Sequence, residues 1–406
     1  MSSQAVALPL PAAPRVAVRS AIARALFLRS VRRMPGRPLA VRGPDGRLLV
    51  AGATGAPELR IVRDSFFARL GAGGKIGFGE AYMAGDWTAV DDLADTLAPF
   101  AVNLDRLVPA PAGRLRAAIE PRLPRSERNT VAGAASNIRR HYDLSNDLFE
   151  LFLDETMTYS CAIFEPGDSL AAAQRRKLEA IARLAGVGPG DRVLEIGTGW
   201  GSLAVHLAKE HGCRVTTITI SDEQRRLALE RVAAAGVAGL VDVQLCDYRR
   251  VEGRFDRIVS VEMLEAVGEE YWAEYFAVCD HLLAPGGRAV VQTITMPHRH
   301  YLATRRSYGW IHKYVFPGGL IPSLEAIDDA LRSRSLLRVR HRDEIGPHYA
   351  TTLREWRRRF VERRSEVAAL GFGEPFQRMW EFYLAYCEAG FASGRLGDSQ
   401  LVLERT

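Results

Sequence analysis

Residues 193–201, which read VLEIGTGWG, are the strongest indication of how this 406-residue chain folds. A hydrophobic run ends at Ile196 and leads into a glycine-rich turn, and a helical pattern of apolar residues begins at Leu203. Glycines let the backbone turn sharply and approach a ligand where a β-carbon would clash. A strand, a glycine turn and a helix place backbone N–H groups at the carboxyl edge of a parallel sheet, where nucleotide-like ligands bind. A turn that binds nothing is the alternative for this stretch on its own.

The spacing of the glycines distinguishes between two nucleotide-like cofactors. Gly197, Gly199 and Gly201 form G-x-G-x-G rather than the G-x-G-x-x-G of dinucleotide sites. The next predicted strand ends in residues 219–221 (TIS), without the Asp or Glu that holds the ribose of NAD. An acidic residue, Glu195, precedes the first glycine. This combination favours S-adenosylmethionine over NAD.

Length and composition limit the classes to which the chain can belong. The length predicts two domains, and no apolar run approaches the roughly 20 residues that a membrane span needs. The N-terminus lacks a basic region followed by an apolar core, so we expect no secretory signal. The five cysteines are scattered and form no C-x-x-C pair. This argues against a disulfide framework or a metal site and favours a reducing cytoplasm.

The N-terminal segment is strongly basic. Residues 1–44 carry eight arginines and no acidic residue, in a chain of net charge +6. On a helical wheel most of these arginines share one face, with Phe27 and Val31 broadly opposite, although Ile22 and Leu26 fall among the arginines. Such a segment can lie on an anionic membrane surface, and a solvated tail is an equally supported alternative. We expect no nucleic-acid partner, because no nucleic-acid motif accompanies the arginines.

The pattern along the chain predicts an α/β protein with three parts. Residues 1–40 form a basic tail, residues 41–125 an accessory domain and linker, and residues 126–406 the main domain. Strands alternate with helices in the main domain, which predicts a doubly wound, Rossmann-like parallel sheet with helices on both faces. Predicted strands cover residues 192–196, 214–219, 241–246, 257–261 and 288–294, and two of the predicted helices cover 223–235 and 271–283.

Seven ordered segments resemble one enzyme family. They cover residues 141–146, 157–162, 193–201, 219–224, 261–268, 313–319 and 383–391. In this order and spacing the chain resembles the cyclopropane-fatty-acyl-phospholipid synthase family, which implies a class I methyltransferase fold. Residues 41–105 are similar to the smaller α/β accessory domain of its two-domain members. The stretch 295–317 most resembles the branch that makes 10-methylene fatty acids, the precursors of tuberculostearic acid.

The resemblance implies which residues bind S-adenosylmethionine. Gly197 and Gly199 would give backbone access to its amino-acid part, and Tyr159 and Ser160 would contact the same end. The other predicted cofactor residues are Glu195 before the glycines, Thr219, Ile220 and Gln224 at the ribose, and Tyr248 and Arg249 at the adenine. An ordinary turn is the alternative for Tyr159 and Ser160, and a surface aromatic residue is the alternative for Tyr248.

The same resemblance implies a reaction and its base. The enzyme holds the sulfonium methyl group in contact with a cis double bond. Transfer of this methyl group leaves a carbocation on the acyl chain. In the family a bound bicarbonate then removes a proton, held by a Glu, a His, a Tyr and two backbone groups. The matching positions here are Glu265, Gln292 in place of His, Tyr349, and the backbones of Cys161 and Ile294.

Two positions depart from the family pattern. Gln292 replaces the His just mentioned, and Ala266 stands where a His usually follows the active Glu. Glutamine donates a hydrogen bond but cannot become cationic at neutral pH, so both bicarbonate binding and the position of the base are open. A changed base geometry would favour a hydride shift before proton loss, which gives an exocyclic methylene instead of a ring.

Aromatic rings can stabilise a carbocation in a dry pocket. The substrate-pocket candidates are Tyr275, Trp310, Tyr314 and Phe316, with core packing as the alternative for each. Cys387 matches a cysteine once regarded as catalytic in the family. A packing or channel role is preferred for it, because alkene methylation needs no covalent nucleophile.

The sequence therefore predicts a cytoplasmic methyltransferase, peripherally associated with the inner face of the membrane, that acts on unsaturated phospholipid acyl chains. The expected product is a 10-methylene acyl chain, and a cyclopropane is the alternative. Two further functions stay open, namely methylation of a small soluble amine or phenol and non-catalytic lipid binding. By analogy with the family we expect a homodimer, and a saturated methyl branch would require a separate reductase.

Overall fold

The computed structural model describes residues 17–103 and 145–406. These residues divide into two compact units. The first comprises 17–103, Ser307–Val315 and Leu353–Arg395, and the second comprises 145–306, Phe316–Thr352 and Leu396–Thr406. The division differs from the predicted boundary near residue 126, because two later segments of the chain join the first unit. Arg15, most of the predicted linker and residues 141–144 of the first family segment lie outside the described residues.

Helices and strands alternate through most of the described chain. The helices are α1 (Ala17–Arg32), α2 (Ser65–Met83), α3 (Leu93–Val102), α4 (Asn146–Phe152), α5 (Leu170–Ala185), α6 (Ser202–His211), α7 (Asp222–Ala234), α8 (Trp272–Leu282), α9 (His298–Thr304), α10 (Trp310–Tyr314), α11 (Leu324–Arg334), α12 (Gly346–Glu362), α13 (Arg364–Ala369) and α14 (Glu374–Ala392). The strands are β1 (Ala40–Arg42), β2 (Leu48–Val50), β3 (Glu58–Ile61), β4 (Trp87–Ala89), β5 (Arg192–Ile196), β6 (Arg214–Thr219), β7 (Val241–Leu245), β8 (Phe255–Val261), β9 (Leu283–Thr295), β10 (Leu337–Glu344) and β11 (Gly397–Arg405).

The first unit contains a small mixed sheet with the strand order β2-β1-β3-β4. Helix α1 packs into this unit through its apolar face, where Phe27 and Val31 are buried, and the Phe27 ring lies 5.2 Å from that of Phe66 in α2. The segment predicted as a tail is therefore a packed helix from residue 17 onward. Ile22 and Leu26, which fall among the arginines on the helical wheel, are exposed.

The second unit is built on a seven-stranded sheet with the order β10-β11-β9-β8-β5-β6-β7. Strands β5 to β9 run parallel, which confirms the predicted doubly wound sheet, and four of the five predicted strands match to within two residues at each end. Strand β9 begins five residues earlier than predicted. Strands β10 and β11 were not predicted, and β11 pairs antiparallel with both β9 and β10.

Helices cover both faces of this sheet. Apolar residues of α5, α6 and α7 form one core with β5 and β6, and residues of α8 and α11 form a second core with β8 and β9. Helix α7 begins at a cap in which the backbone N–H of Gln224 donates to Oγ of Ser221 at 3.2 Å. The predicted helices over 223–235 and 271–283 match α7 and α8 within one residue.

The parallel arrangement positions the site. Since β5, β6, β7 and β8 point the same way, the turns that follow them meet at one edge of the sheet. These turns carry the glycine loop, the end of β6, the 3₁₀ helix Tyr248–Arg250 and the 3₁₀ helix Leu264–Ala266. Within the described ranges, no helix combines the length and the apolar character needed to cross a membrane.

Candidate active site

The glycine turn after β5 exposes its backbone. Gly197 and Gly199 adopt left-handed conformations, with φ of 101° and 52°. A β-carbon on Gly197 would lie 2.5 Å from Cγ of Met263, so a side chain there would force a shift. No atom of the described residues lies within 4 Å of the β-carbon position of Gly199. The loop therefore faces open space at the sheet edge, as contact between backbone and ligand requires.

The end of β6 carries the residues predicted for the ribose. Oγ1 of Thr219 donates to Oε1 of Gln224 at 2.8 Å and accepts from the backbone N–H of Ser221 at 3.1 Å. Both Thr219 and Gln224 are buried, and Ile220, between the end of the strand and the start of α7, is half-buried. The bond from Thr219 fixes the amide oxygen, so the amide nitrogen of Gln224, a donor, faces away from Thr219.

The 3₁₀ helix after β7 carries the residues predicted for the adenine. Tyr248 is buried, and its hydroxyl lacks a hydrogen-bond partner among the described residues. The Arg249 guanidinium lies 5.2 Å from the centre of the Tyr248 ring and makes two hydrogen bonds to the Asp247 carboxylate, at 2.8 and 2.7 Å. Asp247 thus fixes the position of Arg249, and Tyr248 presents a buried phenol at the sheet edge.

Tyr159 and Ser160 precede α5 in the second unit. Tyr159 is half-buried, with its ring centre 5.2 Å from that of Phe149. Ser160 is buried, and its Oγ accepts from Nζ of Lys177 at 2.7 Å. Burial lowers the pKa of the Lys177 ammonium. The Ser160 side chain is therefore part of a buried polar contact that supports this segment.

Glu195, predicted as a cofactor ligand, lies inside the sheet. It is only 3% exposed, and Oγ1 of Thr217 on β6 donates to its Oε2 at 2.5 Å. Burial raises the pKa of Glu195 to about 8, so the carboxyl group carries a proton at neutral pH. The Glu195 side chain therefore links β5 to β6 beneath the glycine turn.

These surroundings fit S-adenosylmethionine. The glycine turn with its exposed backbone follows β5. The Thr219 hydroxyl and the Gln224 amide lie at the end of β6, and the phenol of Tyr248, whose hydroxyl is buried, follows β7. Taken in chain order, these groups offer partners for the amino-acid, ribose and adenine parts of the cofactor. When bound, the cofactor supplies an electrophilic methyl group.

Glu265 lies in the 3₁₀ helix after β8, as predicted for the reaction centre. Its Oε1 accepts from the backbone N–H of Ile294 and, at 2.9 Å, from Oγ1 of Thr293. Its Oε2 is buried without a partner among the described residues. Burial, and then the nearby Glu262, raise the pKa of Glu265 to about 8. Glu265 is therefore protonated at neutral pH and is a poor base in that state.

Glu262, which the sequence analysis did not select, sits at the meeting point of the predicted catalytic groups. Its Oε1 accepts from the backbone N–H of Cys161 at 2.8 Å and from Nε2 of Gln292 at 3.0 Å. Its Oε2 accepts from the hydroxyl of Tyr349 at 2.6 Å. The only sequence signal was the pair of glutamates three residues apart in SVEMLE, of which the family pattern selected Glu265.

A third carboxyl group, Asp398 on β11, was also missed. Nε2 of Gln292 donates to its Oδ2 at 3.2 Å, and Oε1 of Gln292 accepts from Gln400 at 3.0 Å. Burial and the charge of Glu262 raise the pKa of Asp398 well above its usual range. Gln292 is completely buried and uses its amide to join Glu262, Asp398 and Gln400, which explains why a glutamine stands here.

Bicarbonate does not fit the groups predicted to hold it. The N–H of Cys161 and the hydroxyl of Tyr349 already donate to Glu262, and the N–H of Ile294 donates to Glu265. The Gln292 amide donates to Glu262 and Asp398. An added anion would therefore find its donors in use and would meet a cluster of carboxyl groups.

The four predicted substrate-pocket residues are not brought together in one unit. Tyr275 and Phe316 belong to the second unit, and Trp310 and Tyr314 to the first. Tyr275 is completely buried in the core, with its ring 5.4 Å from that of Tyr248, which agrees with its alternative, core packing.

In the first unit, Trp310 packs against Phe382, with ring centres 4.8 Å apart, and Tyr314 donates to Oε1 of Glu80 at 2.8 Å. Cys387, on α14, belongs to the same unit, whereas Glu262 and Glu265 belong to the second. Burial raises the pKa of the Cys387 thiol to about 12, which disfavours the thiolate that a nucleophile needs. A packing role therefore describes Cys387 better than a covalent one.

The chain matches the family model described as mycolic acid cyclopropane synthetase over residues 130–401. It belongs to this family. The match confirms the S-adenosylmethionine-dependent methyltransferase predicted from the sequence. Over 405 residues the chain is 48% identical to tuberculostearic acid methyltransferase UfaA1 of Mycobacterium tuberculosis H37Rv, which covers 98% of this chain and 94% of that protein. It is 35% identical over 361 residues to the cyclopropane-fatty-acyl-phospholipid synthase of Escherichia coli K12, covering 86% and 88% of the two chains.

Solved structures of the family agree with the fold. Mycolic acid cyclopropane synthase CmaA1, complexed with SAH and CTAB, gives a TM-score of 0.62 at 28% identity and covers 67% of this chain and 98% of its own. Cyclopropane synthase MmaA2 from Mycobacterium tuberculosis gives a TM-score of 0.62 at 29% identity, covering 66% and 97%. The class I methyltransferase fold is thus confirmed for the family portion of the chain.

One group of described side chains has the spacing of metal ligands. Nε2 of His206 and Nε2 of His211 lie 3.1 and 3.0 Å from Oε2 of Glu179, on helices α5 and α6. Glu179 is exposed, and the three residues include none of those predicted for the reaction. The contacts of both imidazoles with Glu179 account for the cluster without an ion.

Proposed function

We propose that this enzyme methylates the cis double bond of an unsaturated phospholipid acyl chain and releases a 10-methylene acyl product. The observation that carries the proposal is the carboxylate of Glu262, held by Cys161, Gln292 and Tyr349 beside the glycine loop. Gly197 of that loop abuts Met263, the neighbour of Glu262. A proton acceptor beside the methyl donor suits alkene methylation, whose cationic intermediate must lose a proton. The similarity to tuberculostearic acid methyltransferase over nearly the whole chain supports the same substrate class.

The proposed reaction balances in atoms and in charge. The double bond would donate its electron pair to the sulfonium methyl group, and the bond between that methyl group and sulfur would break to release neutral S-adenosylhomocysteine. The positive charge would pass from sulfur to the neighbouring carbon of the acyl chain. A hydride shift moves that charge to the methylated carbon, and loss of a methyl proton then forms the exocyclic double bond. If the methyl proton is lost before the shift, a cyclopropane forms. Holding the reactants in place can lower the barrier by roughly 7–11 kcal/mol.

Product analysis tests the proposal. The enzyme is incubated with labelled S-adenosylmethionine and vesicles of dioleoyl phospholipid, and the fatty acids are analysed by mass spectrometry before and after ozonolysis. A methylene product is cleaved to a ketone by ozone, whereas a cyclopropane resists it. We expect the ketone.

The remaining outcomes of this experiment point elsewhere. A labelled, ozone-resistant product would identify a cyclopropane synthase, for which the similarity to the Escherichia coli enzyme argues. Label transferred only to small amines or phenols would contradict a lipid substrate. Lipid binding without affinity for S-adenosylmethionine would identify a lipid-binding protein. A saturated methyl branch would additionally require a reductase to supply hydride.

We also propose that α1 contacts the membrane surface. Val18, Ile22 and Leu26 follow one another at four-residue spacing and are 69%, 54% and 59% exposed. Exposed arginines, Arg19 and Arg29, lie on the same side of the helix. An exposed apolar stripe bordered by arginines matches a surface of anionic lipid.

Sedimentation with vesicles tests this contact. The variant Ile22→Ser/Leu26→Ser should lose binding to phosphatidylglycerol vesicles, while neutral phosphatidylcholine vesicles should bind every variant weakly. The matched control, Val90→Ser/Val102→Ser, changes two other exposed apolar residues of the first unit and should bind as the wild type does. Equal binding of both double variants would exclude the stripe as the contact.

A further inference from the structure

We propose that Glu262 is a built-in proton acceptor, so that this enzyme works without the bound bicarbonate that its family resemblance implies. The inference rests on the proposed function, since it concerns the proton lost from the transferred methyl group. It starts from the finding that the predicted bicarbonate donors already hold a carboxylate of the chain itself.

The groups around Glu262 have the arrangement of an anion-binding site, and a carboxyl group of the chain itself occupies that site. Three donors of different kinds converge on its two oxygens: a backbone N–H from Cys161, the amide of Gln292 and the phenol of Tyr349, at 2.6–3.0 Å. Carboxylate and bicarbonate share the same planar arrangement of two oxygens. A side-chain carboxylate in this position therefore replaces the function of the small anion and excludes the anion from its donors.

The acidic groups around Glu262 are held in their neutral forms. Burial raises the pKa of Glu265 to about 8 and that of Asp398 well above its usual range, and the charge of Glu262 contributes to both shifts. Cys161 stays a thiol for the same reasons, since burial, Asp398 and Glu262 raise its pKa. Lys177 adds a nearby positive charge but donates to Ser160 instead. Among the described residues, the three groups that donate to Glu262 are all neutral.

The backbone at Glu262 is consistent with a residue held for its chemistry. Its φ is 50°, in the left-handed region that a glutamate rarely adopts and that strains the backbone. Glycine adopts this conformation without strain. Glu262→Gly would therefore relax the backbone and at the same time free all three donors.

The proposed proton transfer balances in atoms and in charge. The C–H bond of the newly attached methyl group breaks, its electron pair forms the exocyclic double bond, and the proton moves to an oxygen of Glu262. The positive charge on the acyl chain and the negative charge on Glu262 are both neutralised. After product release the proton returns to solvent and the carboxylate is restored.

The test compares wild type, Glu262→Gln and Glu262→Gly in buffer stripped of carbon dioxide and in buffer with added bicarbonate. Wild-type turnover should not depend on bicarbonate. Glu262→Gln keeps the shape of the side chain but accepts no proton, so turnover should fall about 10³-fold with or without bicarbonate. Glu262→Gly should be equally slow without bicarbonate and recover at least about tenfold when bicarbonate is added. Calorimetric affinity for S-adenosylmethionine and Tm should remain near wild type in Glu262→Gln.

The outcomes separate this inference from the proposed function. A wild type whose turnover rises with bicarbonate, or a Glu262→Gln variant with full turnover, would overturn the inference while leaving lipid methylation intact. A wild type that methylates no lipid under any condition would overturn the proposed function instead. Should Glu262→Gly fail to fold, Glu262→Gln and the bicarbonate response of the wild type still decide.

Discussion

Each of the two units of this enzyme holds a glutamate in a set of hydrogen bonds, but the donors differ in kind. In the first unit Glu388 is 2% exposed and accepts from Arg354 at 2.8 Å and from Arg357 at 3.0 Å. In the second unit Glu262 accepts from a backbone N–H, an amide and a phenol, and forms no ion pair among the described residues.

This contrast shows how to tell a structural carboxylate from a reactive one. Glu388 pairs with two guanidinium groups and so links α14 to α12. Breaking these pairs would leave a buried charge without a partner, which costs stability. Neutral donors hold Glu262 in position without an ion pair among the described residues, as the proposed role of proton acceptor requires. Burial alone does not identify the reactive group; the chemistry of its partners does.

The greatest change should come from exchanging each glutamate for glutamine. Glu262→Gln should slow single turnover about 10³-fold, equivalent to about 4 kcal/mol in the barrier, with little change in Tm. Glu388→Gln should do the opposite, lowering Tm with turnover close to wild type. Stopped assays with labelled cofactor and thermal unfolding measure both. If both variants changed turnover and Tm in the same way, the proposed difference between the two glutamates would be wrong.

The second-largest expected effect is a loss of stability when the ion pairs of the first unit are removed. Arg357 also donates to Asp92 at 2.7 Å, so Arg357→Met removes the cation shared by two carboxylates. We expect a loss of about 3 kcal/mol in the free energy of unfolding, measured by urea denaturation. Arg358→Met is the control, because Arg358 is half exposed and its pairs with Glu355 and Glu362 are worth little. Equal losses for both variants would contradict a structural role for the buried pairs.

A smaller loss concerns one donor of Glu262. Tyr349→Phe removes a hydrogen bond to a charged group, which is worth about 2 kcal/mol, so turnover should fall about 30-fold with cofactor affinity unchanged. Tyr82→Phe removes a similar tyrosine–carboxylate bond, to Glu381 at 3.0 Å in the first unit, and should leave turnover unchanged. A reduced cofactor affinity in Tyr349→Phe would place Tyr349 in the cofactor site instead.

The last prediction concerns the pH dependence of stability. Glu195 has a pKa of about 8 in the folded chain, above its ordinary value of 4.5. As the pH rises from about 4.5 to 8, the unfolded chain ionises this group while the folded chain does not, so stability falls by up to about 1.4 kcal/mol per pH unit. Glu195→Gln should remove this part of the slope in urea unfolding between about pH 5.5 and 7.5. An unchanged slope would mean that Glu195 is ionised in the folded state despite its burial, with the nearby Lys177 favouring the carboxylate.

Much of the second unit could be predicted from the sequence, because parallel strands buried on both faces have apolar runs bounded by turns. Strands β5 to β9 and the glycine turn follow this rule. Strand β11 does not, since it begins with the buried polar residues Asp398, Ser399 and Gln400, which no hydrophobic pattern reveals. Its antiparallel pairing with β9 is a tertiary contact between segments about 100 residues apart.

The carboxyl cluster proposed as the reaction centre could be predicted only in part, for a similar reason. Motif positions identified Cys161, Gln292, Ile294 and Tyr349, whose donors all reach the carboxyl cluster. Cys161, Gln292 and Tyr349 donate to Glu262 and Ile294 donates to Glu265, and spacing in the sequence does not encode this distribution. The division into units could not be predicted from the sequence either. Residues 307–315 and 353–395 join the first unit through tertiary packing, which the order of the chain does not show.

The decisive experiment is the dependence of wild-type turnover on bicarbonate. Single turnover of oleoyl phospholipid is measured with labelled S-adenosylmethionine, first in buffer freed of carbon dioxide and then over increasing bicarbonate. With Glu262 as the proton acceptor, the rate stays constant throughout. A rate that vanishes without bicarbonate and saturates as it is added would show that the acceptor is the small anion and not Glu262.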